Sequence, residues 1–184
     1  MGRVIHSLNI TANGTCHHAD TVADEEHHRY ALHVLAHASA ALFGRSSFDL
    51  LASFWPEAVN RTDLPPYMID FAAELDSKPK GVVSSHRVDT KWKHTKWLQG
   101  PGLENVRQFV ASIPGSIVMF GSPKLGASLV AAGLVDEIHL VMQPYLGLVP
   151  VRAFEGLSSR TNLSLLEARP FQSGAVLLRY EIKA

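Results

Sequence analysis

Ser116-Ile117-Val118-Met119-Phe120-Gly121-Ser122-Pro123-Lys124-Leu125, followed by Val135-Asp136-Glu137-Ile138-His139-Leu140, decides the fold. A short apolar, β-prone run ends at Gly121. A helix is then expected, with Ser122 as its N-cap and Pro123 as its first residue. Such a junction aims unpaired backbone N–H groups, and the positive end of a helix dipole, beyond the end of the strand, where phosphate is the usual guest.

The same alternation runs outward in both directions. Arg3 to Ile10 reads as a first strand and Asp24 to Ser39 as a helix with Ala31, Leu32, Val34, Leu35 and Ala38 on its apolar side. Ala40 to Phe43 is a short buried strand. Gly44 turns, and Ser46 is expected to open a helix with Asp49 three residues on, close to a capping box. Pro65 or Pro66 starts a helix reaching about Leu75, Gly81 to Ser84 is a strand, and Leu103 to Ile113 is a helix. After strand 116–120, helix 123–132 and strand 136–143 come two strands, Leu163 to Arg169 and Ala175 to Ile182, around Gln172-Ser173-Gly174. The expectation is one α/β domain over residues 1–184. It has three layers, a mainly parallel central sheet with helices on both faces, and a C-terminal antiparallel hairpin.

Composition narrows the function classes. Apolar residues make up 46% and charged residues 18%, as in a soluble globular protein. Lys+Arg and Asp+Glu are equal at 17, so no net field favours nucleic acid or an anionic membrane. No apolar run is long enough to span a bilayer, and the chain enters a strand-like run at Met1 without a signal-peptide core. The single cysteine, Cys16, excludes an intrachain disulfide and reads as an incidental thiol. A cytoplasmic protein is expected.

Ligands of such sheets lie beyond the carboxyl ends of the strands. Gly44 and Arg45, then Ser84, Ser85, His86 and Arg87, then Gly121 and Ser122 follow three successive strands. Two glycine-to-helix junctions and two arginines can surround a dinucleotide carrying an extra phosphate, which suits the planar fork of arginine. The ordinary G-x-G-x-x-G fingerprint is absent, and Ala127 stands where a P-loop needs its lysine.

Leu42-Phe43-Gly44-Arg45-Ser46-Ser47-Phe48, with Phe54-Trp55-Pro56 beyond, is similar to a segment of dihydrofolate reductase-like proteins. Val118 to Leu125, followed by Gly133-Leu134-Val135-Asp136-Glu137, resembles the reductase domain of bacterial riboflavin-biosynthesis deaminase–reductases. Pro144, Phe154, Ser173-Gly174 and Tyr180 fall where that pattern expects them. The resemblance implies an NADPH-dependent reductase, a homodimer, acting on a small pterin- or pyrimidine-like, carbonyl or imine substrate. It implies that Phe43, Gly44, Arg45 and Ser46 lie by the cofactor, that Ser84, Ser85 and Arg87 hold the ribose and its 2′-phosphate, and that Gly121 and Ser122 meet the pyrophosphate, with Phe120, Pro123, Lys124 and Leu125 flanking. The chain departs from the pattern after the first strand. Where the family shows S-L-D-G, this sequence reads Ser7-Leu8-Asn9-Ile10, so a carboxylate and a glycine are missing. Asn9 and Asp20 remain as candidates for the catalytic group. The departure also opens an alternative: a non-catalytic NADP(H)-binding sensor, or a structural dimer of the same fold. No deaminase motif is present.

Ten histidines stand out, among them His17, His18, His27, His28, His33 and His37. His33 and His37 share a helical face beside Arg29, whose charge disfavours a divalent ion, so they read as a solvated face and no metal is expected. Loop residues His17, His18, Asp20 and Asp24 can cover the site, although an ordinary loop is the plainer expectation. Trp92 and Trp97, set among Lys91, Lys93, His94 and Lys96, are expected to be a partly buried pair beside a solvated basic loop rather than a nucleic-acid platform.

Overall fold

The computed structural model describes residues 2–100 and 102–183; Met1, Pro101 and Ala184 lie outside the described residues. The chain forms β1 (Val4–Thr11), α1 (Glu25–Ala36), β2 (Ala40–Gly44), α2 (Arg45–Ala52), α3 (Trp55–Ala58), α4 (Pro66–Ser77), β3 (Lys80–Ser84), β4 (Thr95–Gln99), α5 (Glu104–Ser112), β5 (Ile117–Phe120), α6 (Pro123–Ala131), β6 (Glu137–Gln143), β7 (Leu163–Pro170) and β8 (Val176–Ile182). A 3-10 turn, His18–Asp20, interrupts the loop between β1 and α1.

All eight strands join one sheet in the order β4-β3-β2-β5-β1-β6-β8-β7. β4 through β6 are parallel, and β8 and β7 add antiparallel to β6. β5 enters late and wedges between β2 and β1, so that Ile117 sits level with both Ala40 and Val4. The α/β architecture expected from the sequence is therefore present, with its C-terminal hairpin.

The apolar runs of β2 and β5 reflect burial on both faces. Ala41, Phe43 and Val118 point into a core with Tyr30, Leu35, Phe48, Phe71 and Leu75 from α1, α2 and α4. Ala40, Leu42, Ile117 and Met119 point the other way, against Val106, Phe109 and Leu129 of α5 and α6. Each of the larger side chains, Val, Leu, Ile, Met or Phe, contributes about 1.5–3 kcal/mol by leaving water.

Three local expectations need correction. α2 does not start at a Ser46 capping box. Its N-cap is Gly44 with no side-chain cap, because β2 runs straight into the helix, and Asp49 is taken by Arg45. Ser122 does occupy the N-cap position of α6, yet its φ is +55° and its hydroxyl caps nothing in its own helix. The Lys91–Trp97 stretch is not simply a loop. Trp97 belongs to edge strand β4, and Trp92 is buried beside Phe48 and the Lys80 ammonium.

Candidate functional site

The expected cofactor residues meet at the carboxyl ends of β2, β3 and β5. The Gly44 N–H donates to Ser122 Oγ at 2.9 Å, and the Ser122 N–H donates to Ser47 Oγ at 2.9 Å. The starts of α2 and α6 are thereby locked side by side. Gly121 takes φ +63°, and a Cβ there would come within 3.3 Å of Ser47 Oγ, so glycine keeps the backbone bare at the junction. Beneath it, the wholly buried His6 holds the Gly121 carbonyl through Nε2 at 2.7 Å. Burial pushes the His6 imidazole down to about 4, with the Gly121 carbonyl opposing. The ring is therefore neutral at pH 7, and Nε2 is the donor.

First-turn N–H groups of α2 and α6 have no acceptor within their own helices. Those of Arg45, Ser46, Ser47, Lys124 and Leu125 lie on either side of the Gly44–Ser122 bond. Two sets of unpaired N–H donors are thus brought side by side, an arrangement that can hold an anion. Arg45 donates from Nε to both Asp49 oxygens, at 2.8 and 2.6 Å, and from Nη1 to the Arg87 carbonyl at 3.2 Å. The loop after β3 is thus joined to α2. There the Ser84 hydroxyl accepts the His86 N–H, while Ser85 and Arg87 are exposed, as is Lys124 on α6. Phe43 is wholly buried, so its ring faces the core and only its backbone is near the junction; Phe120 is half-buried, 6.0 Å from Phe71. Pro123 and Leu125 are half-buried on the first turn of α6.

A second set of polar groups gathers at the end of β1. Asn9 Oδ1 accepts from His27 Nε2 at 2.9 Å and from Gln143 Nε2 at 3.4 Å. Burial, aided by the charge of His28 and opposed by Asp24, pushes the His27 imidazole down to about 4. Asp20 stands apart from this group. Its carboxylate packs on Gly147, where an added Cβ would lie 2.7 Å from Oδ2, and that oxygen is buried without a partner. The sequence pattern singled out Asn9 but not His27 and Gln143, the two groups that bond it. The signal for His27 was its place in the first turn of the helix after the first strand, and nothing marked Gln143.

From His27 a chain of rings runs toward β5. His28 is 5.8 Å from His27, Tyr67 is 5.4 Å and Trp55 is 6.1 Å from His28, and Phe71 lies 4.7 Å from Trp55. A separate cleft of about 660 Å³, between α1 and the C-terminal hairpin, is lined by both acidic and basic groups, including Glu25, Arg29 and Arg169. It shares no residue with the junction. Among the described residues no cluster of His, Cys, Asp or Glu is arranged to hold a metal, and no helix is long and apolar enough to cross a membrane.

Comparison with known proteins matches residues 4–177 to the family described as RibD C-terminal domain. An uncharacterized Bacillus subtilis protein, YyaP, is 27% identical over 141 residues, covering 76% of this chain and 71% of that one. A putative riboflavin biosynthesis protein from Shewanella shares the fold with a TM-score of 0.72 at 15% identity, covering 99% of both chains. A pyrimidine reductase-like protein from Corynebacterium diphtheriae gives 0.68 at 14%, over all of this chain and 92% of that one. Enterococcus faecalis dihydrofolate reductase, solved with NADP(H), gives 0.65 at 11%, over all of this chain and 98% of that one.

Proposed function

The chain belongs to the RibD C-terminal domain family, and from that premise we propose that it is an NADPH-dependent reductase of a small pyrimidine- or pterin-like heterocycle. A carbonyl or imine compound is the related possibility. The observation that carries the reading is the pairing of two helix starts through Gly44 and Ser122, with Arg45 and Arg87 beside them. NADPH would supply the hydride. The chain's part is to hold the diphosphate on the α2 and α6 amides and the 2′-phosphate near Arg45 or Arg87, and to present the substrate at the end of β1.

Residues 1–184 act as one reductase domain in the cytoplasm, where the free thiol of Cys16 is at home. Two copies pair through the outer edge of β7, which lacks a neighbouring strand among the described residues and exposes Leu163, Leu165 and Leu166. The alternative of a non-catalytic NADP(H) sensor is favoured by one observation, the amide at Asn9 in place of a carboxylate.

Titration of the purified protein with NADPH and with NADH, followed by binding heat, tests the reading. NADPH binding should weaken at least about tenfold for NADH, and Arg45→Ala or Arg87→Ala should remove that preference. No binding of either nucleotide at millimolar concentration overturns it. Turnover with any pterin, pyrimidine or carbonyl acceptor removes the sensor alternative.

A further inference from the structure

The polarity of the Asn9 amide can be traced from a donor that admits no choice. The Val22 backbone N–H donates to Gln143 Oε1 at 3.0 Å. The other end of that fully buried amide is therefore Nε2, a donor, and it faces Asn9 Oδ1. His27 Nε2 reaches the same oxygen. The His27 ring is neutral and its Nδ1 is buried without a partner, so its proton sits on Nε2. Two donors thus occupy the two lone pairs of Asn9 Oδ1.

What remains of Asn9 is Nδ2, with two N–H donors. Among the described residues both hydrogen bonds of the Asn9 side chain use Oδ1 and none uses Nδ2, and the side chain is only partly buried. A carboxylate at this position would offer an acceptor. This chain offers a donor whose orientation is fixed from behind by His27 and Gln143. Behind His27, a run of rings follows through His28 to Tyr67 and Trp55.

We propose that Asn9 sets the specificity of the site, its Nδ2 donating to a carbonyl oxygen or an unprotonated ring nitrogen of a planar heterocycle lying across the end of β1. A ring that turns an amino group to the same place sets donor against donor, and both stay unpaired. This inference rests on the reductase reading and names the substrate class of that same site.

The test uses two probes of one shape: a dihydropterin, which carries a ring carbonyl, and the diamino analogue, in which an amino group replaces that oxygen. Each is titrated by calorimetry into protein whose NADPH binding has been measured in the same preparation. Wild-type protein should bind the carbonyl ring at least about tenfold more tightly, one hydrogen bond's worth of discrimination. Asn9→Asp keeps an oxygen for His27 and Gln143, puts a second oxygen in place of Nδ2, and should invert the order. Asn9→Ala should bring the ratio close to one, and it decides the matter if Asn9→Asp does not fold. Equal affinity of wild type for the two rings, a preference for the diamino ring, or an Asn9→Ala ratio equal to wild type overturns the assignment. If those results come with intact NADPH binding, only the Asn9 assignment falls. Absence of NADPH binding removes the reductase reading itself.

Discussion

The Ser122 hydroxyl accepts the Gly44 N–H at 2.9 Å, tying the start of α6 to the start of α2 across 78 residues of chain. Ser122 can do this because its backbone is left-handed, at φ +55°, which turns the side chain away from its own helix.

Two effects follow and can be separated. Ser122→Ala leaves the Gly44 N–H without its acceptor while the left-handed strain stays as in wild type, so denaturant unfolding should show a loss of about 1–3 kcal/mol. Ser122→Gly also loses the bond but relieves the left-handed strain, and should cost about 1 kcal/mol less than alanine.

Gly126 on α6 is packed on His6, and a Cβ at that position would overlap the imidazole. Gly126→Ala should destabilise the protein by at least about 2 kcal/mol. Adding His6→Ala should recover part of the loss, because the two changes share one space. A double-mutant cycle of melting curves that proves additive would show that the contact does not matter.

His27 makes stability depend on pH. Its folded pKa, about 4, lies below the unfolded value of 6.5, so the unfolded chain binds the proton more readily. The full contribution is present above pH 6.5 and is lost as pH falls toward 4, by up to about 3 kcal/mol. His27→Gln can still donate toward Asn9 and does not titrate. Its stability should fall less steeply than that of wild type between those two pH values, as measured by urea unfolding at a series of pH values. His6, with its pKa also about 4, adds a loss of the same sign.

Asp49 holds Arg45 in an exposed ion pair one helical turn away. Asp49→Asn should alter stability by no more than about 0.5 kcal/mol. It removes a negative charge beside the proposed phosphate site, so NADPH should bind about two- to fivefold more tightly at low salt, with the gain shrinking as salt is added. Calorimetric titration at two ionic strengths checks both the size and the salt dependence.

What the sequence made legible was local. The β5–α6 junction, the paired helix starts and the C-terminal hairpin were each carried by neighbouring residues with a clear pattern. β4 was not, since its Thr95-Lys96-Trp97 start places charge on an edge strand, which reads as a basic loop. The four-residue α3 is too short for helical periodicity to register. The reversal of Ser122, from capping its own helix to holding Gly44, depends on a partner far away in the chain. The same is true of Asn9, whose meaning lies in Gln143 and Val22. The family pattern showed that a carboxylate was missing there, but only the folded arrangement shows which end of the amide replaces it.

The late arrival of β5 between β2 and β1 also bears on how the chain acquires its shape. Until residues 117–120 have been synthesised, the β2–β3–β4 group has no hydrogen-bonded link to β1, whose two neighbours, β5 and β6, both come later in the chain. An emerging polypeptide must therefore keep the apolar flanks of β1 and β2 unsatisfied through most of its synthesis. Its slow step is then expected to be insertion of the central strand, a closure of long sequence separation, and that interval is when the unfinished chain is most exposed to mispairing.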